Sequence, residues 1–318
     1  MNFFTKIDIP AADFKIDYTS RLAFFGSCFA DNISALFAER KFNVLANPFG
    51  TVYNPVSLAS QIKAIADGKV FGEEDVFQDT RCDELWHCWD AHSSLSGSTK
   101  EECIDKLNAA ATQARDFLKK ANVIFITLGT AFVYYLKDSG KPVSNCHRQD
   151  PNLFTRRMIS VDEATEAIRE ITASIRQLNQ HAQIVFTVSP LRHMSDGAHN
   201  NTLSKATLQL AVNNALEKIA AEYFPSYEIM MDELRDYRFY SDDMIHLSKT
   251  AEEYIFERMV ETYCDSTTRE NMSKVEKFLK MANHRIQDES SPATQEFKKK
   301  LASQAAELEK MIPGLILA

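Results

Sequence analysis

Four short apolar runs constrain this chain more than anything else in it: "RLAFF" at 21–25, "FNVLA" at 42–46, "NVIFITLG" at 122–129 and "QIVFTVSP" at 183–190. They carry little of the in–out alternation of a strand with one wet face, so both faces must be covered. Amphipathic stretches separate them. In "CFADNISALFAERK", Phe29, Ile33, Leu36 and Phe37 recur at helical spacing, and "PVSLASQIKAIADG" has Pro55 at its start and Gly68 just past its end. Strand and helix in alternation over most of the chain imply a parallel sheet with helices on both faces. The expected fold is α/β, a three-layer α/β/α sandwich with a mostly parallel central sheet. A last short strand is expected at "YEIMMDE", Tyr227–Glu233, and "FVYYLKDSGKPVSNC" reads as a hairpin turning at Asp138-Ser139-Gly140.

Residues 71–97 form an irregular insertion rich in aromatic, Cys and His residues. From residue 265 the texture changes to charged helices, with apolar stripes made by Phe278, Ala282 and Ile286 and by Phe297, Leu301, Leu308 and Met311. The division is therefore a body over 1–264 and a helical extension over 265–318, and the stripes pack on the body or serve a homodimer contact.

The chain of 318 residues carries a net charge of −8, which argues against nucleic acid as the main partner. No window approaches the roughly 18 apolar residues of a membrane span, and the amino terminus lacks the pattern of a secretory signal. A cytoplasmic location is expected, with Cys28, Cys82, Cys88, Cys103, Cys146 and Cys264 as reduced thiols. With nine glycines and neither G-x-G-x-x-G nor a G-x-x-x-x-G-K-[ST] loop, nucleotide chemistry is disfavoured, and no cofactor is expected. "CDELWHCWDAH" offers Cys82, His87, Cys88 and His92 to a metal, but their spacing fits no zinc pattern and no metal is assigned.

A hydroxyl is placed where a strand meets a helix in "RLAFFGSCFADNISALF". A serine hydroxyl needs a base within reach, and that base needs an orienting group. In "YSDDMIHLSKTAEEYIFERM", Asp243 lies three residues before His246, a spacing that joins orienter and base in one turn. Each feature also has a plainer reading. Ser27 suits a helix N-cap, and Asp243 and His246 suit the start of the last body helix. Cys28 in a first helical turn invites a lowered thiol pKa, but its side chain should turn to the core.

"GSCFA" at Gly26–Ala30 is the signature of the GSCFA-domain family, which resembles the SGNH, or GDSL-type, hydrolases. The resemblance also takes in "NPFGTVYNP", "TLGTAFVY", "NCH", "SPLRHMSDGAHNNTLSKATL" and "DDMIHLS". It implies an SGNH/flavodoxin-like fold and a serine acylhydrolase with Ser27 as nucleophile, Asp243 as orienter and His246 as base. Ser27, Gly50 and Thr130 are implied as the oxyanion donors. The pattern departs in the third block, where an asparagine side chain normally donates and Ala131 stands instead; Thr130 or Asn145 is left to replace it. The implied substrate is an O-acyl ester; the polar and aromatic surround points to a small-molecule or glycan ester, with Trp86, Asn145, His147, Arg192, His193, Asn201 and Lys205 as candidate contacts. An acyltransferase, and a ligand-binding module without turnover, are the alternatives.

Overall fold

The computed structural model describes residues 4–79, 84–283 and 291–317. The central sheet consists of β1 (Arg21–Gly26), β2 (Asn43–Ala46), β5 (Val123–Leu128), β9 (Gln183–Val188) and β10 (Glu222–Tyr223), all parallel, in the spatial order β2-β1-β5-β9-β10. Counting sheet strands alone this is 2-1-3-4-5, a doubly wound order whose connections reverse direction between β1 and β5. The four apolar runs are β1, β2, β5 and β9.

Both faces of the sheet are covered, which is why those strands read as nearly unbroken apolar runs. Ala23, Phe25, Ile124, Ile126, Ile184 and Phe186 face α2 (Pro55–Asp67), α3 (Lys100–Leu118), α4 (Val161–Leu178) and α5 (Ala198–Leu216). Leu22, Phe24, Val123, Phe125 and Val185 face α1 (Cys28–Glu39) and α7 (Lys249–Tyr263). On that second face Phe24 stacks on Phe125 with ring centroids 4.8 Å apart. The helix ends follow the sequence signals. Asn54 caps α2 by accepting from the Ser57 N–H, and Gly68 ends it in the left-handed conformation at φ +69°.

Two small antiparallel sheets decorate this frame. The insertion folds as β3 (Val76–Gln78) against β4 (Trp86–Cys88). The expected hairpin is β6 (Phe132–Leu136) and β7 (Pro142–Val143), and β8 (Phe154–Met158) adds a third strand on the other side of β6. The strand expected at Tyr227–Glu233 is absent there: those residues form the one-turn α6 (Ser226–Glu228) and a wide turn over Ile229–Glu233. Their buried side chains, Ile229, Met230, Glu233 and Leu234, recur as one helical face rather than in alternation. The last strand, β10, lies just upstream.

The extension begins with α8 (Ser266–Ala282), whose Met272 and Val275 join the core on the α1–α7 side, and continues with α9 (Pro292–Met311). Phe278 is buried and Met311 is half exposed. Beyond α9, Ile312 and Leu315 return to the same core. Ile286 of the expected stripe lies outside the described residues. No helix among the described residues is long and apolar enough to cross a membrane.

Where β1 leaves the sheet, Gly26 adopts φ +123°, and a Cβ built on it would lie 2.0 Å from the Thr127 carbonyl oxygen of β5. Backbone, not a yielding side chain, stands in the way. Gly26→Ala should therefore cost about 3 kcal/mol or more, read as a fall of roughly 5 °C or more in Tm; an unchanged Tm would show that the strand ends are not locked together here.

Candidate active site

The carboxyl edge of the sheet at the β1/β5 reversal is where doubly wound folds open a crevice. Ser27 is the residue that leaves β1 there. Its backbone is extended (φ −71°, ψ 171°), it stands at the N-cap of α1, and its N–H donates to the Thr127 carbonyl at 3.2 Å. Its hydroxyl makes no capping bond. The Oγ is buried with no hydrogen-bond partner. The plain N-cap reading expects that hydroxyl to accept from α1, an interaction worth about 1 kcal/mol, and the bond is not made.

The Gly26–Ser27 turn is held from the β2 side by Asn47, whose role the sequence reading missed. Its side-chain Oδ1 accepts the Gly26 N–H at 2.8 Å, while its Nδ2 donates to Asp31 of α1 at 2.7 Å. Asn47 itself sits at φ +35°, a region that asparagine tolerates better than most residues, immediately before Pro48. Burial raises the Asp31 pKa, and the bond from Asn47 works against that rise. An asparagine before the proline of a strand-to-loop "NPFG" was the one signal available.

The Asp243–His246 pair is formed as its spacing predicts. Asp243 Oδ2 meets His246 Nδ1 at 2.6 Å, and Oδ1 accepts the N–H groups of Ile245 and His246 at 2.9 Å each. These bonds, led by the imidazole, hold the Asp243 carboxyl down at about 2. The pair occupies an exposed loop closed by the Ser241 N–H donating to the His246 carbonyl at 2.8 Å. Arg192 anchors that loop: its N–H donates to the Ile245 carbonyl at 3.3 Å and its guanidinium to the Met244 carbonyl at 3.1 Å. On the other side, Glu252 at the start of α7 accepts from Asn32 of α1 at 2.5 Å.

The three amides expected as oxyanion donors are already engaged. Besides Ser27, the Gly50 N–H closes a turn onto the Asn47 carbonyl at 2.7 Å, and the Thr130 N–H donates to the Tyr53 carbonyl at 2.9 Å. The Gly129 N–H reaches the same Tyr53 oxygen at 2.7 Å. The Thr130 hydroxyl is also occupied, 3.1 Å from Ser204 Oγ, which in turn accepts the Ala131 N–H at 2.8 Å. Gly129 lies directly beside the serine: a Cβ built on it would be 3.3 Å from Ser27 Cβ.

The remaining candidates separate into two groups. His193 and Lys205 touch the segments around Ser27, at Tyr53 and Gly129 respectively. The His193 ring meets Tyr53 edge-on at 5.7 Å, its Nε2 is buried without a partner, and burial pushes its pKa down to about 4. Asn201 serves this segment, its carbonyl accepting the His193 N–H at 2.9 Å. Lys205 is 1% exposed, so it is no surface contact for a substrate. Arg192, half-buried, lines a cleft of about 190 Å³ with Asn201, Thr202, Tyr227, Met231 and Tyr240.

Asn145, His147 and Trp86 support the insertion instead. Asn145 accepts the His147 N–H at 2.8 Å, and His147 Nε2 lies 2.8 Å from the Cys88 carbonyl, its ring stacked on His87 at 4.4 Å. Trp86 pairs with Gly97 through backbone bonds and packs on the main core, and Trp89 stacks on Phe77 at 3.8 Å. Trp86, expected as a substrate contact, is thus part of the packing between the insertion and the core. Burial raises the Cys28 thiol above its ordinary range, against the activated-thiol reading. Cys82 lies outside the described residues.

The profile of the GSCFA family matches residues 21–259. The chain belongs to the GSCFA family. The matched span runs from the first residue of β1 into α7, so Ser27, Asn47, Lys205 and the Asp243–His246 pair all lie within it. No curated protein matches. Among solved structures, an acetyl xylan esterase (Est2A) from the rumen bacterium Butyrivibrio proteoclasticus aligns at 14% identity with a TM-score of 0.34. The alignment covers 81% of this chain and 64% of that one, so this GSCFA chain spans less than two thirds of the esterase's length.

The Asn47 bonds yield a direct test. Asn47→Ala frees the buried Gly26 N–H and removes the partner of Asp31, so it should destabilise the protein by about 1–3 kcal/mol. Asn47→Asp places a second carboxylate against Asp31 and should be destabilised further above pH 6 than at pH 4. Denaturant unfolding at both pH values checks this; a ranking independent of pH would contradict the arrangement.

Proposed function

We propose that this protein is a serine acylhydrolase that cleaves O-acyl esters through an acyl-enzyme. The observation that carries the reading is the Ser27 hydroxyl, buried without a hydrogen-bond partner at the start of a helix it does not cap, in a fold that also builds a fixed Asp–His pair. Packing requires neither. Ser27 Oγ attacks the ester carbonyl while His246 Nε2 takes its proton; Asp243 holds the other ring nitrogen and stabilises the imidazolium. Collapse of the tetrahedral intermediate expels the alcohol, which takes the proton from His246. Water, deprotonated by the same imidazole, then releases the acyl group from Ser27. The positive end of α1 faces the oxygen that becomes anionic.

A sugar-like alcohol is the favoured leaving group. The cleft beside Arg192 combines Asn201 and Thr202 with the rings of Tyr227 and Tyr240, a mixture suited to hydroxyls and to the apolar face of a pyranose. A second reading, a ligand-binding module without turnover, draws support from the amides of Ser27, Gly50 and Thr130, each of which already has a backbone acceptor.

A fluorophosphonate probe separates the two. The wild type should gain one adduct by intact mass and Ser27→Ala none. His246→Ala should slow hydrolysis of an acetylated sugar by about 10⁴-fold. Asp243 stays ionised down to about 2 and so can hold His246, which must be neutral to accept the serine proton. An unlabelled wild type would favour the binding module, and a His246→Ala variant that keeps the wild-type rate would remove His246 as base.

A further inference from the structure

The least expected group near Ser27 is a cation without an anion. Lys205 projects from α5 into the body and is 1% exposed. Its Nζ donates to the Gly129 carbonyl at 2.6 Å and to the Ser189 carbonyl at 2.7 Å. These are the first residues past β5 and β9, so the ammonium ties two neighbouring strand ends together where the crevice lies. No carboxylate pairs with it among the described residues. The titratable groups that face it are the Cys28 thiol in the first turn of α1 and the His193 imidazole in the loop after β9. An unpaired buried charge is strongly unfavourable, and a methionine of similar length would fill the space.

We propose that Lys205 is a positioning residue of the acyl-transfer site, clamping the Gly129–Thr130 peptide beside Ser27 and holding it under positive potential. The peptide is the link. Its carbonyl accepts from Lys205, and its N–H, that of Thr130, points the opposite way, towards the Tyr53 oxygen. An ammonium on the carbonyl side polarises the whole group and strengthens the N–H as a donor. The peptide lies beside Ser27, a Cβ built on Gly129 falling 3.3 Å from the serine Cβ, so the charge behind it acts where the substrate oxygen would become anionic. The inference rests on the acylhydrolase reading and deepens it.

Burial pushes the Lys205 amine down to about 7, with the neighbouring Cys28 opposing the shift. The ammonium is therefore present below that pH and lost above it. Protonated Lys205 is needed, so activity should fall as pH rises through about 7.

The test is the rate at which a fluorophosphonate modifies Ser27, followed by mass from pH 5 to 9. In that reaction the Oγ–P bond forms, fluoride leaves with the P–F electrons, and the serine proton passes to His246. The wild type should lose rate above about pH 7. Lys205→Arg, which stays charged, should abolish the alkaline fall. Lys205→Met should label about 10–100-fold more slowly at pH 6. Folded Met and Arg variants that reproduce the wild-type rate and profile would overturn the inference while leaving the acylhydrolase reading intact. A wild type that takes no probe at any pH would overturn both. Should neither variant fold, wild-type protein carrying ¹³Cε-lysine decides by NMR. One solvent-shielded lysine should titrate near 7 and shift when Ser27 is phosphonylated; lysines that all titrate near their ordinary value of about 10.4 would overturn the inference.

Discussion

The contact on which this structure depends is the approach of Gly26 to the Thr127 carbonyl. Parallel strands β1 and β5 run in register up to that pair, and there the β1 backbone turns through a conformation that admits no side chain. Three consequences follow from one missing Cβ. The two strand ends stay together at the point where the sheet reverses its winding. The next residue, Ser27, is delivered to the N-cap of α1 with its hydroxyl unspent. The Gly26 N–H, turned away from β5, is left to Asn47, which carries the link on to Asp31 and so to α1.

Around that turn the site is assembled from elements distant in sequence, and backbone carbonyls do most of the joining. Arg192 grips the carbonyls of Met244 and Ile245 and thereby sets the loop of the Asp–His pair against the strand end after β9. Lys205 grips Gly129 and Ser189. Two cations from the segment after β9 thus act on peptides rather than on carboxylates. Peptide acceptors leave the positive charge unneutralised, and the proposed acyl transfer would gain from that as negative charge develops on the substrate oxygen.

Much of this was legible in the sequence, for identifiable reasons. Runs such as "NVIFITLG" could only be strands covered on both faces, and a D-x-x-H turn closes on itself through local bonds, so the parallel sheet and the Asp243–His246 pair were readable from spacing alone. What failed depended on long-range packing. The Ile229–Met230 pair looked like strand but serves a helical face, and "FTRRM" gave little signal because it is an exposed third strand whose pairing with β6 is set by tertiary contact. Lys205 was read as a substrate contact because a lysine at an active edge usually points outward; here it is buried and turned to two carbonyls, while Arg192 lines the neighbouring cleft and holds the Met244 carbonyl. That the amides of Ser27, Gly50 and Thr130 are already taken is a property of loop pairing that no residue pattern encodes.

The central claim, that Ser27 and the Asp243–His246 pair form one acyl-transfer site, is tested most directly by a crystal structure of the phosphonylated protein. The account predicts phosphorus bonded to Ser27 Oγ, His246 Nε2 within hydrogen-bond reach of that oxygen, and the phosphoryl oxygen against the Gly129–Thr130 peptide or the first turn of α1. A serine left unmodified, an adduct on another side chain, or a His246 ring that stays out of reach of the adduct would contradict it.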